Sequence, residues 1–375
     1  MDRRCLHSTV AMGLALICGL LAMGPGWAGA AAPDFERQIA PIFIRNCLRC
    51  HNASDPAGGL DLTNRGHALA GGESGAASIV PGKIDESYLL DRVGEGEMPP
   101  SGKGQPISAE QIALLKSWIE AGADWPADRT LSLFELTTAE RAGRDWWSLK
   151  TPVRPDVPAP PAAGAAPANW IRTPIDAFVL AELGKHRLQP SGEADRATLI
   201  RRATFDLWGL PPKPEEVAAF VADTAPDAYE KLIDRLLASR HYGEAWGQHW
   251  LDVVRFAESN GYETNGARPN AWPYRDYVID ALNRDIPYSQ FILEQIAGDQ
   301  CGAPAATGFL VAGAHDMVGS PDVELSRQQR HNDLDDFAGT TSQAFMALTV
   351  SCAKCHDHKF DPIRQTDFYQ LRAFF

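Results

Sequence analysis

Hydrophobic positions recur at helical spacing along most of the chain, and no stretch alternates with the period of two that a half-buried strand would show. Phe35, Ile39, Ile42 and Phe43 share one face of a helix over 34–46, which Pro41 is expected to kink. Ser108 with Gln111 three residues on forms a capping box, and Ile112, Leu115 and Ile119 make the buried stripe of a helix that Gly122 ends. Thr173-Pro174 opens another helix, with Ile175, Phe178, Val179 and Leu183 on one side. The clearest pattern covers 227–239, through Tyr229, Leu232, Ile233, Leu236 and Leu237, and further helices are predicted over 244–256, 275–283, 289–296 and 335–350.

Two breaks divide these helices. Gly58, Gly59, Gly71, Gly72 and Gly75 exclude long regular elements from 57–81, and the Pro- and Ala-rich run over 150–169 can form neither a helix nor a central strand. The expected fold is mainly α: a small all-α domain over 31–128, a Pro/Ala-rich linker over 129–170, and a larger, mostly helical domain over 171–375. No internal repeat stands out beyond one duplicated cysteine motif.

The first thirty residues read differently. Arg3 and Arg4 precede an apolar run over 10–23, and Ala28-Gly29-Ala30 offers a cleavage site, so residues 1–30 are expected to be a signal peptide. An uncleaved membrane anchor is the alternative, for which the run is short, and Ile17 before Cys18 argues against a lipoprotein. The mature protein is therefore expected to be extracytoplasmic, periplasmic or secreted, with membrane contact only through a retained leader.

The formal charge of −13, without a basic block, argues against nucleic acid as a partner and for a basic or neutral one. Five of the seven cysteines lie beyond the leader, and four of these form two C-x-x-C-H motifs, Cys47 and Cys50 with His51, and Cys352 and Cys355 with His356. Cys301 stands alone. On one turn of helix, residues three and four apart share a face, so two thiols and the next imidazole can address one planar group. In an exported chain the specific reading is covalent haem c, twice: thioethers from the cysteines and an axial bond from each histidine. A redox dithiol would want a βαβ setting, a zinc site four converging ligands, and a plain disulfide is stereochemically possible.

Met98, in the turn Met98-Pro99-Pro100, is the candidate sixth ligand of the first haem, where a thioether opposite histidine raises the potential and favours electron transfer. A gap-filling core methionine is the bland reading, and His67 the competing ligand. For the second haem His249 is the first candidate, ahead of Met317, Met346 and His331, although a core or surface histidine is commoner. His358 is expected to be a local hydrogen-bonding group. The pair Trp146-Trp147 suggests a carbohydrate platform or, more commonly, packing.

At these residues the chain resembles a known arrangement. Phe35, the first C-x-x-C-H motif, Gly59-Leu60-Asp61-Leu62, Val80-Pro81-Gly82, Met98-Pro99-Pro100 and the run 115–123 resemble the planctomycete-type cytochrome c domain. Asp206-Leu207-Trp208-Gly209-Leu210-Pro211-Pro212, His249-Trp250-Leu251-Asp252, Trp272-Pro273-Tyr274-Arg275-Asp276-Tyr277, Gln295-Ile296-Ala297-Gly298-Asp299 and the run 352–361 resemble the uncharacterised domain that usually follows it. Such proteins usually continue into a third domain, whereas this chain stops at Phe375 inside a predicted helix, so it is expected to be a piece of a longer protein. The resemblance implies extracytoplasmic haem, electron transfer and a redox partner protein or downstream domain, with no established substrate.

Three functions remain in play: a dihaem electron carrier, a haem-dependent oxidoreductase acting at the second haem or in a downstream domain, and a metal-stabilised module binding a surface polymer. A dihaem peroxidase is a specific form of the second, but its two similar cytochrome domains are not evident.

Overall fold

The computed structural model describes residues 32–54, 56–159 and 170–375; the expected leader lies outside them. These residues are mainly α-helical, with pairing of the β type confined to the isolated bridges His51 to Pro56, Asn64 to Thr130 and Ser259 to Ala267. The chain divides into two compact units, one ending at Leu136 and the other covering Thr137–Phe375.

In the first unit Asp34 caps a wide π turn, Phe35–Ile39, that passes into α1, Ala40–Asn46. Pro41 lies in the first turn of α1 and has no N–H to give to the preceding turn. The single kinked helix expected over 34–46 is thus a π turn followed by a short α-helix. Helices α2 (Arg65–Ala70), α3 (Tyr88–Gly94) and α4 (Ala109–Glu120) complete the unit. At α4 the capping box closes from both sides: the Ser108 amide donates to Gln111 Oε1 at 3.0 Å, and the Gln111 amide donates to Ser108 Oγ at 3.2 Å. Phe35 and Phe43 pack against Trp118 and Trp125, with Ile39, Leu48, Leu62 and Leu115 around them. The glycine-rich stretch folds back on itself. A methyl group on Gly72 would lie 2.4 Å from the Gly58 carbonyl oxygen, so only glycine lets these backbones meet.

The expected linker is folded over much of its length. Leu131 joins the first core, its amide donates to the Thr63 carbonyl at 2.6 Å, and Arg129 pairs with both Glu36 and Glu135. From Thr137 the chain belongs to the second unit, where Ala142 is fully buried and donates its amide to the Phe360 carbonyl at 2.8 Å. These contacts are long-range, and the local run of prolines and alanines starts only after Lys150.

The described residues of the second unit form three small cores. Helices α6 (Arg196–Trp208), α7 (Pro214–Ala222) and α8 (Ala228–Leu237) bury Ile200, Phe220, Leu232 and Leu236, while α5 (Pro174–Lys185) precedes them. Helices α9 (Arg240–Val253) and α10 (Trp272–Asn283) cross closely because a methyl on Gly243 would sit 2.5 Å from the Ile279 carbonyl oxygen. With α11 (Tyr288–Ala297) they enclose Val254, Tyr274, Val278 and Phe291. The third core, around Ala338, Val350, Ala353 and Phe368, joins α12 (Val323–Met346), a 3-10 turn Val350–Lys354 and α13 (Gln365–Arg372).

The helix expected over 335–350 begins twelve residues earlier and ends four earlier. Asp322 caps its start by accepting from the amides of Glu324 and Leu325, and the added turns are largely polar and exposed, so no hydrophobic stripe announces them. Ala347, at φ +53°, ends it in the left-handed conformation.

Candidate haem-attachment sites

The first motif continues directly from α1. The amides of Cys50 and His51 both donate to the Cys47 carbonyl, at 3.1 and 3.0 Å, so residues 47–51 close one helical turn. Leu48, with 0% exposure, anchors that turn in the core. Asn52 donates to the Leu48 carbonyl at 3.0 Å and the His51 carbonyl accepts from the Leu62 amide at 3.0 Å, so the far end is held too. The Cys47 thiol is pushed up to about 12, first by burial and then by Cys50 beside it. Burial also lowers the His51 pKa and favours the neutral form of the ring, which binds metals.

Cys47, His51 and Met98 line one cavity of about 420 Å³, whose apolar wall includes Leu60, Leu89 and Val93. Cavities of about 300–1,000 Å³ are usual for small-molecule and cofactor sites. Met98 reaches it because α3 ends in a tight return: the amides of Glu97 and Met98 both donate to the Arg92 carbonyl at 3.0 Å. His67 is elsewhere. Its Nδ1 lies 2.6 Å from Asp61, whose carboxyl is held below its usual range because hydrogen bonds from Thr63 and His67 outweigh the opposing effect of burial.

These residues fit a covalent haem. The cavity wall holds the Cys47 thiol, a neutral imidazole and a thioether, with Cys50 in the same turn as Cys47, and His51 Nδ1 is buried there with no hydrogen-bond partner. None of the five described cysteines is in a disulfide, and no group of three or more His, Cys, Asp or Glu among the described residues converges on a metal ion.

The second motif has a different setting. Cys352, Cys355 and His356 are exposed, on and just after a 3-10 turn. His356 Nδ1 donates to the Asp357 carbonyl at 2.7 Å. His358 is buried: its Nδ1 accepts from the amides of Phe360 and Asp361, which leaves Nε2 to donate to Thr349 Oγ1 at 3.0 Å. Lys354, between the motif cysteines, pairs with Asp335 of α12, and its carbonyl accepts from Gln365 and Tyr369.

The structure does not bring His249 to this motif. Its ring is exposed and rests edge-on against Trp246 at 5.6 Å, whereas the neighbouring Trp250 turns inward onto Phe291 of α11 and Phe345 of α12. The Gly243 and Gly247 face of α9 takes the buried side, and His249, two residues beyond Gly247, points away from it. Met317 and Met346 are exposed, and His331 contacts Arg372. Trp146 packs edge-on to Phe360 at 5.5 Å, and Trp147 is 74% exposed. Ser78 and Arg92 of the cavity wall and Asp335 carry no sequence signal of their own, because each is marked only by what surrounds it in space.

The family model described as planctomycete cytochrome C matches residues 47–102. The model described as a protein of unknown function, DUF1549, matches residues 174–375. No curated protein and no solved structure matches the chain. A turn that carries two cysteines and presents Cys47 and His51 to a cavity, inside a segment matched as cytochrome c, is a haem-binding unit, and the chain belongs to the DUF1549 family with a planctomycete cytochrome c domain ahead of that region.

Proposed function

We propose that the protein is an extracytoplasmic electron-transfer cytochrome carrying two covalent c-type haems. The observation that supports this most is the common cavity of Cys47, His51 and Met98. Cys47 and Cys50 would tether the first haem, and His51 and Met98 would ligate its iron. When bound, haem supplies a reversible one-electron couple, and a methionine opposite histidine raises its potential. The apolar part of the wall would shield the bound group from water, and the closed turn at Arg92 fixes the backbone of Met98. Cys352, Cys355 and His356 would attach and ligate the second haem. A redox protein or a further domain would be the partner.

A second reading, an oxidoreductase centred on the second motif, draws support from one contrast. The first motif faces a cavity that also holds a methionine, whereas the three side chains of the second lie at the surface. An iron without a strong sixth ligand binds small molecules.

The test is expression of the full chain with export and haem-attachment machinery. Haem should survive acid-acetone extraction, with a pyridine haemochrome count of about two per chain and a reversible c-type spectrum. Cys352→Ala should lower the count to about one. Bound zinc without a haem band would sink both readings.

A further inference from the structure

We propose that Ser78 and Arg92 form a carboxylate-binding corner of the first cavity that takes one haem propionate, an inference that rests on reading this cavity as the haem site. Ser78 is 4% exposed and its hydroxyl is buried with no hydrogen-bond partner. Comparable hydroxyls in the same unit are satisfied: Ser87 Oγ accepts from the Val80 amide at 2.9 Å and donates to the Lys83 carbonyl at 2.8 Å, and Thr63 Oγ1 donates to Asp61 at 2.7 Å. Among the described residues of the first unit, the polar side-chain atoms buried without a partner are His51 Nδ1 and Ser78 Oγ, and both residues line the cavity. An orphaned buried hydroxyl costs free energy, so its natural partner is a group that enters from the cavity.

Arg92 identifies the charge of that group. Its guanidinium is the cation on the cavity wall apart from the neutral His51, lies over the Tyr88 ring at 5.6 Å, and pairs with Glu97. A guanidinium has five N–H donors, so Arg92 can keep Glu97 and still bind a second carboxylate. The two residues belong to the same side of the cavity, because the Ser78 carbonyl accepts from the Leu89 amide at 3.0 Å, one turn before Arg92 on α3. Glu73, the wall's carboxylate, repels an entering anion and favours the Arg92 side. Haem fits this pattern, since its apolar ring suits Leu60, Leu89 and Val93 while its propionates need a donor and a cation.

The test uses the full chain as Cys352→Ala, so that signals from the first site are read alone. Ser78→Ala and Arg92→Gln should each shift the propionate bending band in resonance Raman spectra, and Ser78→Thr should restore it. Arg92→Gln should also lower the reduction potential, because an uncompensated propionate stabilises the ferric state. In the haem-free chain Ser78→Ala should be at least as stable as its parent, since it removes an unpaired hydroxyl. An unchanged band in both variants, or loss of haem-free stability in Ser78→Ala, overturns the proposal while leaving the haem site standing. Absence of covalent haem from the Cys352→Ala chain overturns the site reading as well.

Discussion

Asp335 Oδ2 lies 2.7 Å from Lys354 Nζ, and its other oxygen lies 3.0 Å from Arg372, so one carboxylate of α12 ties the residue between the second pair of cysteines to α13. Both oxygens are shut off from solvent, and the contact with Asp335 raises the Lys354 pKa. Asp335→Asn leaves two cations facing a neutral amide. Breaking a buried pair costs about 3–5 kcal/mol, but Lys354 is 42% exposed, so solvent screening reduces the expected loss to about 1–3 kcal/mol. Lys354→Met should cost less, because Arg372 still compensates Asp335. Denaturant titrations of the full chain measure both, and equal losses would mean that the Arg372 contact contributes nothing.

Met98→Ala should open the sixth position of the first haem and lower its reduction potential, because the soft thioether is lost. Oxidised wild-type protein should show the weak near-infrared sulfur-to-iron band. Persistence of that band in Met98→Ala would assign the ligand to another methionine.

The asymmetry between a motif facing a cavity and a motif at the surface has a ligand-binding consequence. Reduced protein should bind carbon monoxide at about one haem per chain, and Cys352→Ala should abolish that binding while leaving the spectrum of the first haem unchanged. Binding at the first haem instead would overturn the Met98 assignment. No binding would favour a carrier whose second iron is closed, but His249→Ala should not open it, since that ring is exposed against Trp246 on the side of α9 away from Gly243 and Gly247.

Acid should weaken the first unit partly through Asp61. Hydrogen bonds from Thr63 and His67 hold its carboxyl below the ordinary 3.8, so the folded state gains stability at pH values above 3.8 and loses it as pH falls through the lower folded value. Asp61→Asn should therefore lower stability at neutral pH, by about 1.5 kcal/mol for hydrogen bonds to a charged group, and flatten the acid limb. Urea midpoints between pH 3 and 7 would give both numbers; parallel curves for the two proteins would remove Asp61 from the account.

The chain's local chemistry determined a good deal by itself. Two cysteines three apart with histidine next are fixed by covalent spacing, and one helical turn aims them together wherever it occurs. Ser108 and Gln111 act within four residues, and the stripe on α8 is local periodicity, so both were legible without a fold. Tertiary structure decided what local pattern cannot carry. That Met98 shares a cavity with Cys47 and His51 depends on the return at Arg92 and on two glycine-lined backbones meeting at Gly58 and Gly72. The polar first half of α12 has no stripe to betray it, and 129–149 reads as linker until Leu131 and Ala142 find cores distant in sequence. His249 sits on a helix whose other face is taken by glycines packed on α10, so its amphipathic setting could not say which neighbours it would meet. Ser78 is the extreme case: a serine is unremarkable until the fold buries its hydroxyl beside a cavity and offers it no partner.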